Sequence, residues 1–434
     1  MAIIPQKTLF VWEDDVEILG DLERLNLALE IMPDEKLMEI LENKRGRGRD
    51  DYPIRAMWNS IIAGIIFQHP TQKSLLRELG RNVQLRYVCG FGWGKIPSSC
   101  NYTRFLKVLL AHEEEIKNIF QSLVEELALL LPDFGERLAI DSKSIPSFAK
   151  KKNKKSKLDG RRDLDADLGI KVYKGTREDG TAWEKVVKCF GYKLHLIVDS
   201  KYELPVAYEV TKASSSDVKE GEKLFEKVIG DAPEIIERCS YFAGDKGYDS
   251  TKFMDRLYEK EIHPIIDTRA LWKDEKLRPV FEGQHDIYYG ECGSVYCFEP
   301  ENGTRHLMCN NGYDKGRGSL RKACPAHKMG ISCNSVENCK RTGGIRIPLE
   351  TDKRIFTSID RSSYKWEREY KNRTAVERVN GRLDVSFGFE NHTIRGKAKM
   401  ELRCGLALIV MLALAVGRIK EKRPDLMRSL VKVA

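Results

Sequence analysis

The sequence predicts an α/β fold: a mixed sheet flanked by helices, with an all-α N-terminal region and a small Cys-rich insertion. Three observations carry that expectation. The first 135 residues show apolar stripes at helical spacing, and after Arg137 short apolar runs alternate with helical patterns. A segment of about 271–345 then breaks the alternation with six cysteines and many Gly, Asn and Tyr residues.

The N-terminal helices come first. Ile54, Met57, Trp58, Ile61, Ile62, Ile65 and Ile66 recur at i, i+3, i+4 and i+7, as do Ile116, Ile119, Phe120, Leu123, Val124 and Leu127. Between them TQKSLLRELG reads as a short amphipathic helix, and Pro97-Ser98-Ser99 as the start of another. Arg77, Arg81, Arg104 and Lys107 fall on polar faces. They suit either a DNA-binding unit or an ordinary solvated bundle.

After Arg137 the run RLAID reads as a strand ending in an acid. GYKLHLIVD and LPVAYEVT, separated by SKYE, read as a hairpin. DVKEGEKLFEKVIG is a helix, YFAGD a second strand ending in an acid, STKFMDRLYEKEI a helix and HPIID a strand. Helical patterning resumes after the Cys-rich segment, at SSYKWEREYKNRTAVERVNGRL. The run CGLALIVMLALAVG is 14 uncharged residues, short of the roughly 18–20 that span a bilayer, so a buried core helix is expected. The domains predicted are 1–135 helical and DNA-binding, 136–270 catalytic core, 271–345 insertion, and 346–434 the rest of the core.

Composition excludes little. A net charge of +9 cannot identify nucleic acid alone. The N-terminus places acids where a secretory signal needs basic residues, so a cytoplasmic protein with no membrane partner is expected.

Acids at strand ends project into the crevice where α/β sheets bind ligands. Asp141 ends RLAID and Asp245 ends YFAGD, so neighbouring strands can bring them together. Converging carboxylates repel unless a cation neutralises them, and Mg²⁺ prefers oxygen ligands. Two such ions can activate an attacking oxygen and stabilise a leaving one in phosphodiester displacement. A lone strand-end Asp is also a common cap, and Asp199 in VDSKYE reads as a turn residue of that kind. Tyr370, Arg373 and Glu377 lie at i, i+3 and i+7, on one helix face. They offer a phenol, a guanidinium for phosphate and a carboxylate for metal, or equally a charged surface helix.

The combination LAIDSKSI, GYKLHLIVDSKYELPVAYEVT, YFAGDKGYDS and YKNRTAVERVNGRL resembles the DDE transposases of bacterial insertion sequences. It is similar in particular to the branch with a Tyr-Arg-Glu-Lys signature. The segments YPIRAMWNSIIAG, KSLLRELGRNVQLRYVCGFG and IPSSCNYTRF also resemble the helical N-terminal domain of such proteins, so the likeness runs from about residue 50 to 417. It implies an RNase H-like catalytic fold with Asp141, Asp245 and Glu377 as ligands of two Mg²⁺ or Mn²⁺ ions. Tyr370 and Arg373 become the flanking DNA-contacting residues. The implied reaction is metal-dependent cleavage at transposon ends and strand transfer into target DNA. Its partners are double-stranded DNA, as inverted repeats and target, and a second copy, since two DNA ends must be joined. The signature Lys falls on Asp384, a departure from the pattern. A nuclease without strand transfer, or a non-catalytic DNA-binding descendant, are the rival functions.

Two further features are chemically suggestive. Lys150, Lys151, Lys152, Lys154 and Lys155, followed by Arg161 and Arg162, form a basic loop that could neutralise phosphates. Such runs are more often simply solvated. Cys292, Cys297, Cys309, Cys324, Cys333 and Cys339 are candidate ligands of a structural Zn²⁺, with His327 nearby. Their spacing is looser than that of paired C-x2-C sites, and buried unligated thiols are the plainer reading.

Overall fold

The computed structural model describes residues 20–45, 52–92, 95–151, 163–177, 179–269, 272 and 276–430. The helices α1 (Leu22–Ile31), α2 (Glu35–Arg45), α3 (Ile54–Ile66), α4 (Gln72–Arg81), α5 (Val83–Cys89), α6 (Ser99–Leu109) and α7 (Glu113–Leu130) precede the first described strand. Local chemistry sets several of their ends. Thr71 and Ser74 form a capping box at α4, and the Ser98 side chain caps α6 by accepting from the Asn101 N–H. Glu113, Glu114 and Glu115 sit at the positive end of the α7 dipole.

The central sheet contains β1 (Arg137–Pro146), β2 (Asp167–Thr176), β3 (Ala182–Asp199), β4 (Leu204–Lys212), β5 (Tyr241–Gly244) and β6 (His263–Ile266). The strand order is β2-β3-β1-β5-β6, with β4 also paired to β3. β1 runs antiparallel to β3 and parallel to β5, and β5 is parallel to β6. Helices α8 (Asp217–Asp231), α9 (Pro233–Arg238) and α10 (Thr251–Glu259) connect the strands. The hairpin read from GYKLHLIVD and LPVAYEVT is present, but its first strand begins at Ala182. Its outer half pairs with β2, which has no counterpart in the sequence reading. Gly191 marks the handover between β2 and β1, because a Cβ there would collide with the Ile145 carbonyl.

Between β6 and α12 lie two small sheets. One has the order β10-β9-β8-β7, from β7 (Arg278–Pro279), β8 (Ile287–Tyr289), β9 (Val295–Phe298) and β10 (Arg305–Leu307). The other joins β11 (Cys309–Asp314), β12 (Ser319–Ala323) and β13 (Ile345–Pro348), with α11 (Pro325–Met329) after β12. These strands enclose their own small core, built on Val280, Ile287, Val295, Leu320, Ile347 and Phe356.

The chain ends in α12 (Tyr364–Lys371), α13 (Thr374–Phe387) and α14 (Lys397–Lys420). By length and composition α14 could cross a membrane, yet most of it is buried within the protein. It packs on α7, α1 and β4, so the N-terminal helices and the sheet share one hydrophobic core. Burial on all sides explains its continuous apolar run, which has no polar face to present.

Candidate active site

The acids occupy the end of the sheet where its parallel strands stop. Asp141 is not at the end of β1, as the run RLAID suggested, because the strand continues to Pro146. Its parallel partner β5 ends opposite Ile140, however, so Asp141 stands at the first position beyond that pairing. Asp245 follows the last residue of β5 directly. Its Oδ1 accepts the Gly247 N–H at 2.7 Å, capping a 3₁₀ turn over Lys246–Tyr248. A Cβ on Gly247 would lie 2.6 Å from that oxygen, so this close approach needs glycine.

Burial dominates the electrostatics of Asp141. Its carboxyl is pushed up to about 6, first by burial and further by the Asp245 charge. The Ser142 N–H, Lys171 and Arg373 pull the other way. Two carboxylates close enough to oppose each other's ionisation, one of them buried, suit a divalent cation with oxygen ligands. The donor set therefore fits the implied metal.

The third acid is placed differently. Tyr370 ends α12 and Glu377 lies in the first turn of α13, with Arg373 at the junction. The single helix expected over this stretch is thus two. Between Glu369 and Val376 the backbone bonds tighten to i→i+3, while Asn372 and Arg373 keep right-handed helical dihedrals. The three side chains still share a face. The Arg373 guanidinium lies 5.6 Å from the Tyr370 ring centroid and donates to Glu377 Oε1 at 2.8 Å. Arg373 also feels the Asp141 charge, so it stands between Glu377 and the strand-end acids. Glu377 itself is half exposed. Among the described residues, donor atoms of Asp141, Asp245 and Glu377 do not meet in one cluster within 4.8 Å.

Several residues at this site escaped the sequence reading. Asp267 follows β6 as Asp245 follows β5, on the neighbouring strand. Its charge and that of Asp245, together with burial, raise the Tyr370 hydroxyl above its usual range, with burial the larger cause. The final D of HPIID was the available signal. Tyr248 is buried against α8, where a Cβ on Gly221 would press on its ring at 2.7 Å. Burial, then the charges of Asp141, Asp217 and Asp245, hold its hydroxyl far above the usual range. Asp217 is tied to Ser142 and Lys193, each at 2.9 Å.

Asp384, where the signature has Lys, pairs with Lys143 at 2.5 Å. Lys143 is two residues from Asp141 on β1, so both side chains leave the same face of the strand. An ammonium group is therefore present beside the acids, supplied by a different element. Asp199 has the bland role expected of it, accepting the N–H groups of Tyr202 at 2.6 Å and Gly135 at 2.8 Å.

The segment between β6 and α12 grips the turn that carries Asp245. Arg269 donates to the Lys246 and Gly247 carbonyls, and Arg354 pairs with the fully buried Asp249. Of the basic loop, Lys150 and Lys151 are exposed beyond the end of β1. Lys152, Lys154, Lys155, Arg161 and Arg162 lie outside the described residues. In the N-terminal region Arg77, Arg81, Arg104 and Lys107 are all exposed on α4 and α6. These two helices are joined by a hydrogen bond from Gln72 to the Ser99 carbonyl at 2.8 Å.

A mixed sheet that gathers carboxylates where its parallel strands end defines an α/β protein with polar chemistry at the strand termini. Residues 132–413 match the family described as the transposase DDE domain, and residues 13–108 match a second transposase domain. The chain belongs to the DDE transposases, of the insertion-sequence type. Members of that family use divalent metal ions. No curated protein matches it. Among solved structures it is similar to a piggyBac transposase synaptic complex with hairpin DNA, determined by cryo-EM. That similarity is slight, with 11% identity and a TM-score of 0.38 over 95% of this chain and 79% of the other.

Proposed function

We propose that this transposase cleaves DNA at transposon ends and transfers the freed strand into target DNA, from an RNase H-like catalytic core. One observation carries the reading: Asp141 and Asp245 adjoin at parallel strand ends, with Arg373 linking them to Glu377. Asp141 and Asp245 would hold divalent Mg²⁺ or Mn²⁺, with Glu377 as the third ligand once it leaves Arg373. Bound there, the ions supply charge neutralisation for phosphodiester displacement.

The chain's own groups do the rest. Arg373, released from Glu377, can hold a phosphate through its fork of N–H donors. Tyr370 stacks on Trp366, with ring centroids 4.7 Å apart, which fixes its hydroxyl towards Asp245 and Asp267. Lys143 adds a positive charge beside Asp141. Arg77, Arg81, Arg104, Lys107, Lys150 and Lys151 offer exposed cations for the DNA backbone, and the basic loop extends this row. A second copy is needed to hold the second DNA end, and a cytoplasmic location agrees with such a substrate.

The test uses DNA carrying the element's own ends. Asp141→Asn and Asp245→Asn should each reduce cleavage by about a thousandfold, since losing a metal ligand removes several kcal/mol of transition-state stabilisation. DNA binding in a mobility-shift assay should persist. Cleavage at the wild-type rate in Asp141→Asn would exclude the metal-ligand role, and cleavage without joined products would favour a nuclease.

A further inference from the structure

Six cysteines lie between Cys292 and Cys339, and the fold sorts them into two groups. Cys292 is exposed and contacts the Ser294 hydroxyl, while Cys309 lies 3.1 Å from the Met329 sulfur. The other four converge. Cys297 on β9 faces His306 on β10, and Cys324 caps α11 after β12. Cys333 and Cys339 lie on the loop between α11 and β13. Cys324, Cys333 and Cys339 all stand near enough to Cys297 for their charges to act on its thiol, and Cys324 acts likewise on Cys333.

Two details point to a ligand. The Cys339 sulfur accepts the Arg341 N–H at 3.4 Å, and the Cys333 sulfur accepts that of Ser335. A backbone N–H two residues on that bonds to sulfur stabilises a thiolate, the form that binds metal. Beside them Glu299, His306 and Cys333 bring donor atoms within 4.8 Å of one another. Glu299 is 5% exposed and bonds His306 at 2.7 Å, while its Oε2 has no hydrogen-bond partner. A buried carboxylate oxygen without a partner is costly unless a cation is near.

We propose that Cys297, Cys324, Cys333 and Cys339 hold a structural zinc ion, with the Glu299–His306 pair hydrogen-bonded alongside. Four thiolates in a closed site suit zinc, and the small apolar core around them explains the need. Metal binding then contributes directly to folding of this segment. His306, oriented by Glu299, supports the site from outside its ligand shell.

The full chain, purified without chelator, should contain one zinc per molecule by elemental analysis. Cys324→Ser and Cys333→Ser should lose it, whereas Cys292→Ser and Cys309→Ser should keep it. His306→Ala should retain zinc at about 10–100-fold lower affinity, the range for loss of a supporting group. Because the cysteine variants could fail to fold, cobalt exchanged into the wild-type protein gives a second readout. Strong thiolate-to-cobalt charge-transfer absorption, of the intensity of four sulfur ligands, is expected. The proposal fails if the wild-type protein contains no zinc, or contains iron with a visible chromophore instead. It fails equally if Cys324→Ser and Cys333→Ser keep their zinc, or if His306→Ala loses it as completely as they do.

Discussion

The body of the protein and the segment inserted between β6 and α12 are held together by different physics. In the body one apolar core runs from α1 to Leu430 and takes in the sheet, α13 and α14. The inserted segment has a core of only ten buried apolar residues and is tied down by polar links. Lys322 and Asp360 are a buried ion pair joining β12 to the stretch that enters α12. Arg354 and Asp249 join the same stretch to the turn after Asp245. The body can lose a contact and remain folded, because apolar burial scales with the area enclosed. The insertion has few such contacts to spare, so each polar link there counts for more.

The comparison breaks most visibly at Lys322. Lys322→Met leaves Asp360 buried without its partner, which should cost about 3–5 kcal/mol. Limited proteolysis should then cut within 278–348 while the body resists. Simultaneous unfolding of both regions would show that they form one cooperative unit.

A matched pair sharpens it. Leu408→Ala on α14 and Ile347→Ala on β13 both empty fully buried positions, each at about 2–5 kcal/mol. The first should lower the main thermal transition. The second should leave that transition within a degree or two and accelerate proteolysis of the insertion.

A smaller effect comes from acid. His195 lies fully buried on β3, bonded to the Thr211 hydroxyl at 2.9 Å, and burial pulls its pKa down to about 4. The unfolded chain binds a proton there near pH 6.5, so the neutral ring favours the fold. That contribution is complete above about pH 6.5 and disappears as pH falls towards 4. His195→Gln should therefore show a shallower loss of melting temperature between pH 7 and 5 than the wild-type protein. An identical slope would exclude His195 as a source of acid sensitivity.

The least disruptive change concerns Lys143 and Asp384, a partly exposed pair of modest strength. Lys143→Ala should slow cleavage about tenfold, the effect of about 1.4 kcal/mol of lost charge stabilisation. Asp384→Ala should change it less than twofold. Equal losses in the two variants would mean that the pair braces the fold and that its ammonium group does not serve the site.

The two regions also differed in how well they could be read. In the body the runs RLAID, GYKLHLIVD, LPVAYEVT, YFAGD and HPIID all appear as strands, because half-buried strands and amphipathic helices leave a periodic trace. The insertion left no such trace. Its strands are two to six residues long, and period 2 cannot show over so few positions. The ribbon of β2 with the outer half of β3 was missed for another reason. Ile170, Val172, Val186 and Val187 are exposed there, so no buried face imposed a pattern.

By itself the sequence determined the family, the main strands and helices, and which acids end or border central strands, since these depend on local residue order. Only the tertiary structure decided which distant groups meet. It set Lys143 against Asp384, placed Asp267 beside Asp245, and separated four converging cysteines from two that stand apart. Such meetings follow from strand register and helix packing across hundreds of residues, and no local pattern encodes them.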